Sequence, residues 1–131
     1  MSTDVQIERE IQMKGKTYPR ILPQDIENNI ASEHYFTARE GRDGALAAGT
    51  YVGRERPVVG GADLLPLELL TFCVLVLKNG FTVTGESACA SPENFDAEIG
   101  RKVARQNAVN KIWPLMGYEL RSVLSRELMS S

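Results

Sequence analysis

Arg101 and Arg105 stand one helical turn apart in a stripe with Glu98 and Lys102. Like charges at that spacing repel by roughly a few tenths of a kcal/mol, so an anion lodged between them, a phosphate above all, would relieve the pair. Glu98 offers the competing arrangement, because it reaches Arg101 at i+3 and Lys102 at i+4. The stripe is then a solvated salt-bridge face. Asn94, Asn107 and Asn110 lie on or near the same segment; Asn107 and Asn110 carry paired donors and acceptors that suit a base or ribose edge, and capping or core hydrogen bonds account for them equally well. Phe81, directly after Asn79-Gly80, offers a ring that either stacks on a planar ligand or packs sideways into a core. Thr82, Thr84, Glu86 and Ser87 follow it, polar groups that also describe the wet side of an antiparallel sheet.

Catalysis finds little support in the same residues. The only thiols are Cys73 and Cys89 and the only histidine is His34, with no CxxC or HxxxH spacing, so a zinc site lacks ligands. No serine elbow, Cys-His pairing or carboxylate pair stands out, and Gly15-Lys16-Thr17 has Glu10 where a phosphate loop needs its first glycine. We expect no enzyme, no metal and no cofactor. Fifteen basic against seventeen acidic residues leave a formal charge of −2, which gives no global field for nucleic acid or an anionic membrane. Met1-Ser2-Thr3-Asp4 does not open a signal peptide, and no apolar run approaches the roughly 20 residues of a membrane span. A cytoplasmic protein is expected.

At 131 residues with 43% hydrophobic and 24% charged residues, the chain fits one α+β domain. Alternating Val5, Ile7, Ile11 and Met13 suggest an edge strand, Pro23 opens a short helix to about residue 31, and His34 to Thr37 enter the sheet. Residues 38–66, with six glycines and four arginines, read as a long loop or insertion. Leu67–Lys78 and Phe81–Ala90 joined by Asn79-Gly80 form a central β-hairpin. A two-residue turn there places Val76 opposite Val83 and Val74 opposite Gly85, and puts Cys73 and Cys89 on opposite faces, where no disulfide can form. Ser91-Pro92 then caps a long helix, with Phe95, Ile99, Val103, Val109 and Trp113 on a large apolar face for the sheet. Ala97, Gly100, Ala104 and Ala108 make a small-residue face open to another backbone. Pro114 ends or kinks it before a second amphipathic helix through Met116, Leu120, Val123 and Leu124, with a frayed tail at 129–131. The expected architecture is a small antiparallel sheet braced by two C-terminal helices and a short N-terminal one.

The stretches Ile30–Ala38, Thr71–Cys89, Ser91–Asp96 and Asn107–Pro114 carry a resemblance to the phage gene-product-49-like family, over roughly residues 20 to 126. Members occur in phages and prophages. The first type of Thoeris anti-defence protein is closely similar to this group: oligomeric sponges that hold cyclic ADP-ribose isomers without cleaving them. The resemblance therefore implies a homo-oligomeric binder that sequesters a host immune cyclic nucleotide. In that role Phe81 stacks on adenine, Thr84 and Asn94 contact polar edges, and Arg101 and Arg105 hold the pyrophosphate. The alternative is a non-catalytic accessory protein that binds a host protein, with the glycine-rich segment as its contact surface.

Overall fold

The computed structural model describes residues 3–16, 18–51 and 53–130. Along the chain lie α1 (Thr3–Met13), α2 (Pro23–Asn28), β1 (Ile30–Thr37), α3 (Ala38–Ala47), the single turn α4 (Leu65–Glu68), β2 (Leu70–Leu77), β3 (Thr82–Ala88) and α5 (Ala97–Ser130). The strands form one antiparallel sheet in the order β1-β2-β3, so the hairpin supplies its central strand and one edge. The α+β class stands.

The hairpin forms one residue away from the expected register. Gly80 N–H donates to Leu77 C=O at 2.9 Å and Leu77 N–H to Phe81 C=O at 2.8 Å, which makes Lys78, Asn79 and Gly80 a three-residue loop. Gly80 sits at φ 90°, the left-handed position that such a loop assigns to glycine. Leu75 therefore pairs with Val83 and Cys73 with Gly85. Because side chains alternate with a period of two, this single step moves Val83 and Gly85 onto the same face as Cys73, Leu75 and Leu77. Cys89 then shares that face too, which corrects the reason for expecting no disulfide. Both cysteines are free because four strand residues, about 13 Å, separate Cys89 from the level of Cys73's partner Gly85. Burial pushes the Cys73 thiol up, and Cys73 is fully enclosed while Cys89 is half-buried. Iodoacetamide should accordingly label Cys89 in the native protein and Cys73 only after unfolding, read by mass spectrometry of the digested chain; native labelling of both at one rate would contradict this packing.

On the helix the expected large face holds only in part: Val109 packs in the core with Trp113 against it, whereas Ile99 is 60% exposed and Val103 43%, and the small residues Gly100, Ala104 and Ala108 are buried on the sheet beside Ile112. The cause is Gly85: a Cβ there would lie 2.2 Å from the Ala104 carbonyl oxygen and 2.3 Å from the Ala108 nitrogen. Helix backbone rests directly on strand backbone, an approach that only small residues permit. Asn107 Nδ2 donates to the Glu86 carbonyl at 2.8 Å, so this asparagine ties α5 to the edge strand.

Three further expectations are corrected. Residues 5–13 lie in α1 because the half-buried Asp4, Glu8 and Ile11 recur at helical spacing, and Trp113 Nε1 donates to Asp4 at 3.2 Å. Gly15 stops that helix at φ 68°, with Lys16 N–H bonded back to Ile11 C=O. Within 38–66, Thr37 and Glu40 close a reciprocal capping box that starts α3, leaving 48–51 and 53–60 without regular structure. Finally, Pro92–Asn94 is only a 3₁₀ turn; Asp96 caps α5 by accepting from Ile99 N–H, and the helix passes unbroken through Pro114 to Ser130. The two expected C-terminal helices are one. Ile112 and Met116, on either side of Pro114, pack on the same core and offset the roughly 3 kcal/mol a mid-helix proline costs. Among the described residues no helix is long and apolar enough to cross a membrane.

Candidate functional site

The first turn of α5, the end of β1, α3 and α4 surround an open cleft of about 650 Å³ at one end of the sheet. Phe36 and Phe95 supply rings, Tyr35, Thr37 and Thr71 supply hydroxyls, and Arg39, Glu40, Glu68 and Arg101 supply charge. The charges are unequal in availability. Arg39 is held by Asp43 at 2.9 Å and Glu68 at 3.4 Å, and Glu40 accepts from Thr37 N–H at 2.8 Å. Arg101 is exposed and makes no ion pair among the described residues. It is the one cation of the cleft free to meet an anion. Phe36 is set by its ring contact with Phe72, centroids 5.8 Å apart, and by Gly41 of α3 seated against it.

Arg105 is engaged elsewhere. Its guanidinium grips Glu27 at 2.7 and 3.1 Å and Glu33 at 2.6 Å, tying α5 to α2 and β1. These carboxylates keep it more firmly protonated than usual, and Arg105 in turn holds the Glu33 carboxyl below its ordinary range. Tyr35 donates to Glu33 at 2.9 Å, and burial followed by that bond pushes its phenol well above the usual value. Glu98 pairs with Lys102 at 3.3 Å, both largely exposed, so that part of the stripe is a solvated face.

The five residues singled out from the sequence do not converge within one chain. Arg101 lines the end cleft, and Asn94 lies in the 3₁₀ turn between two of its lining residues, Pro92 and Phe95. Phe81 lies beyond the Leu77 end of β2, at the far end of the sheet. Thr84 points to the face away from α5, between buried Val83 and Gly85. Arg105 is sealed in its ion pairs. What sequence reasoning missed is the contribution of α3: Thr37-x-x-Glu40 is a legible capping box, and it was outweighed by the glycines that follow. Ser32 Oγ and His34 Nε2 meet at 2.9 Å on β1, outside the cleft lining that begins at the next residue, Tyr35, and among the described residues no carboxylate is bonded to the ring. Among the described residues no group of three metal-binding side chains occurs.

The profile of the family described as "Phage protein (N4 Gp49/phage Sf6 gene 66) family" matches residues 21–124. The chain belongs to this phage protein family. The match takes in β1, the hairpin and α5 through Leu124, hence the sheet, most of its helix and every residue that lines the end cleft, and leaves α1 outside. No curated protein and no solved structure matches the chain.

Proposed function

We propose that this phage protein binds and sequesters a host immune cyclic nucleotide of the cyclic ADP-ribose class without cleaving it, in the cleft at the start of α5. The observation that carries the reading is the unpaired Arg101 at the wall of a cleft of about 650 Å³, within the roughly 300–1,000 Å³ usual for small-molecule sites. Its guanidinium takes the phosphates, and Phe36 and Phe95 offer apolar walls to a base. A binding role, not a catalytic one, is supported by the state of the cleft's carboxylates: Glu40 and Glu68 are already bonded to Thr37 N–H and to Arg39, so neither is poised to take a proton. Arg105 is reassigned from ligand contact to structural support.

Calorimetric titration with cyclic ADP-ribose isomers and cyclic di- and trinucleotides, with each ligand recovered by chromatography, tests this directly. Binding with intact ligand recovered is expected, and Arg101→Ala should weaken it about tenfold or more, the worth of a charge-assisted contact. Heat with none of the ligands, or an unchanged affinity in the variant, would remove the reading. A second reading, an accessory protein that binds a host protein, is favoured by the exposed Ile99 and Val103 stripe beside the cleft.

A further inference from the structure

We propose that the first turn of α5 seats one phosphate of the nucleotide, held by the Ala97 and Glu98 N–H groups, the Thr71 hydroxyl and the Arg101 guanidinium; this deepens the reading above and rests on it. The N–H groups of the first helical residues have no acceptor within the helix, and the aligned peptide dipoles make that end positive. Asp96 serves one of them, its carboxylate accepting from Ile99 N–H at 3.1 Å. Ala97 and Glu98 N–H find no acceptor among the described residues. Ala97 borders the cleft, and so does Arg101, one turn further along the same face of the helix.

A bare helix start is common, and Thr71 is what marks this one as a site. Thr71 is 4% exposed, the one buried polar residue among those described, yet it lines the cleft and its hydroxyl has no hydrogen-bond partner among them. Gly100 lets α5 descend on it: a Cβ there would lie 3.1 Å from Thr71 Oγ1, so the hydroxyl stands beside the first turn of the helix. Cys73 and Leu75 follow on the same strand face, both apolar. Valine would fill the place of Thr71 without leaving a buried hydroxyl unsatisfied, which costs stability. The hydroxyl gains its partner when a ligand arrives, and a partner shared with two backbone N–H groups and a guanidinium is an anion. Donors converging from a strand, a helix end and a side chain suit the several oxygens of a phosphate better than the two of a carboxylate. The cleft's own carboxylates do not compete, since Glu40 and Glu68 are bonded to Thr37 N–H and Arg39.

The full chain and its Thr71→Val and Thr71→Ser variants would be titrated with inorganic pyrophosphate, ADP-ribose and the cyclic ADP-ribose isomers, with amide shifts followed by NMR. Each ligand should shift the Ala97 and Glu98 N–H signals of the wild type. Thr71→Val should bind each roughly tenfold more weakly while melting at or above the wild-type temperature, and Thr71→Ser should bind like the wild type. A merely structural hydroxyl gives the reverse, with affinity kept and melting lowered, and that result would overturn the seat. If the cyclic isomers bind and Arg101→Ala weakens them while Thr71→Val does not, the seat falls and the reading of the cleft stands. If pyrophosphate and ADP-ribose bind through Thr71 and the cyclic isomers do not, the seat stands and the cyclic nucleotide falls. Silence of the Ala97 and Glu98 signals with all three ligands also removes the seat.

Discussion

Gly85→Ala is expected to destabilise the protein by about 3 kcal/mol or more, at the upper end of what one added methyl does to a packed core. The size follows from what the methyl meets. Its carbon would lie 2.2 Å from the Ala104 oxygen, 2.3 Å from the Ala108 nitrogen and 2.9 Å from the Asn107 carbonyl carbon, all backbone atoms of a regular helix. No side chain can turn away to make room, so α5 must lift off β3. Lifting it separates Ala104, Ala108, Val109 and Ile112 from Cys73, Leu75 and Val83, which is most of the core cluster. It also breaks the Asn107 bond to the Glu86 carbonyl. Against a stability of roughly 5–15 kcal/mol for an ordinary domain, such a loss brings the chain close to unfolding. Urea denaturation followed by circular dichroism measures it, and the backbone origin gives a control. Trimming Ala104 or Ala108 to glycine in the same chain should rescue nothing, because the colliding atoms remain. A Gly85→Ala variant melting within about 2 °C of the wild type would show that the helix is not seated as described.

The same contact explains which parts of the fold the sequence made legible. Asn79-Gly80 announces a hairpin, and Asp25, Glu98 and Pro23 mark helix starts, because each acts through local backbone chemistry. Register is not local. A two-residue and a three-residue loop both accept Asn-Gly, and the choice fell to the face that could receive Gly85 beneath a helix. Periodicity located both faces of α5 but ranked them by side-chain size; the sheet selected the small face because Gly85 and Gly100, the latter against Thr71, allow backbones to approach. Pro114 is a strong local breaker, yet burial of Ile112 and Met116 on one core outweighs it. The site was legible in the same uneven way. Arg101 and Arg105 look alike in sequence, one turn apart on one helix, and only the arrival of α2 and β1 beside the second distinguishes them.

That difference sets the other large expectation: Arg105→Ala should cost about 2 kcal/mol at neutral pH while leaving nucleotide affinity intact in the protein that remains folded. The guanidinium side chain is 29% exposed, whereas Glu27 is 47% and Glu33 38% exposed, so either ion pair alone, screened by water, would contribute well under 1 kcal/mol. Together they join three elements through one bidentate and one single contact, and their loss leaves two carboxylates near each other with no cation between them. The pH dependence identifies the origin. Arg105 holds the folded Glu33 carboxyl below its ordinary value near 4.5, so its contribution is present above about that pH and disappears as pH falls through the lower folded value. The wild type should therefore lose stability on acidification faster than Arg105→Ala, and the gap between them should close as pH falls below the ordinary carboxyl value and through the lower folded one. Denaturant midpoints measured at neutral pH and at progressively lower pH would show it. A gap that stays constant would assign the loss to packing of the arginine stem against β1 instead of to its charge. Arg101, with no carboxylate to satisfy, is expected to behave in the opposite way on both counts: little change in stability at any of these pH values, and the loss of affinity. One guanidinium cannot close two internal ion pairs and also neutralise a ligand's phosphate, and the carboxylates of α2 and β1 have already decided which of the two arginines is free.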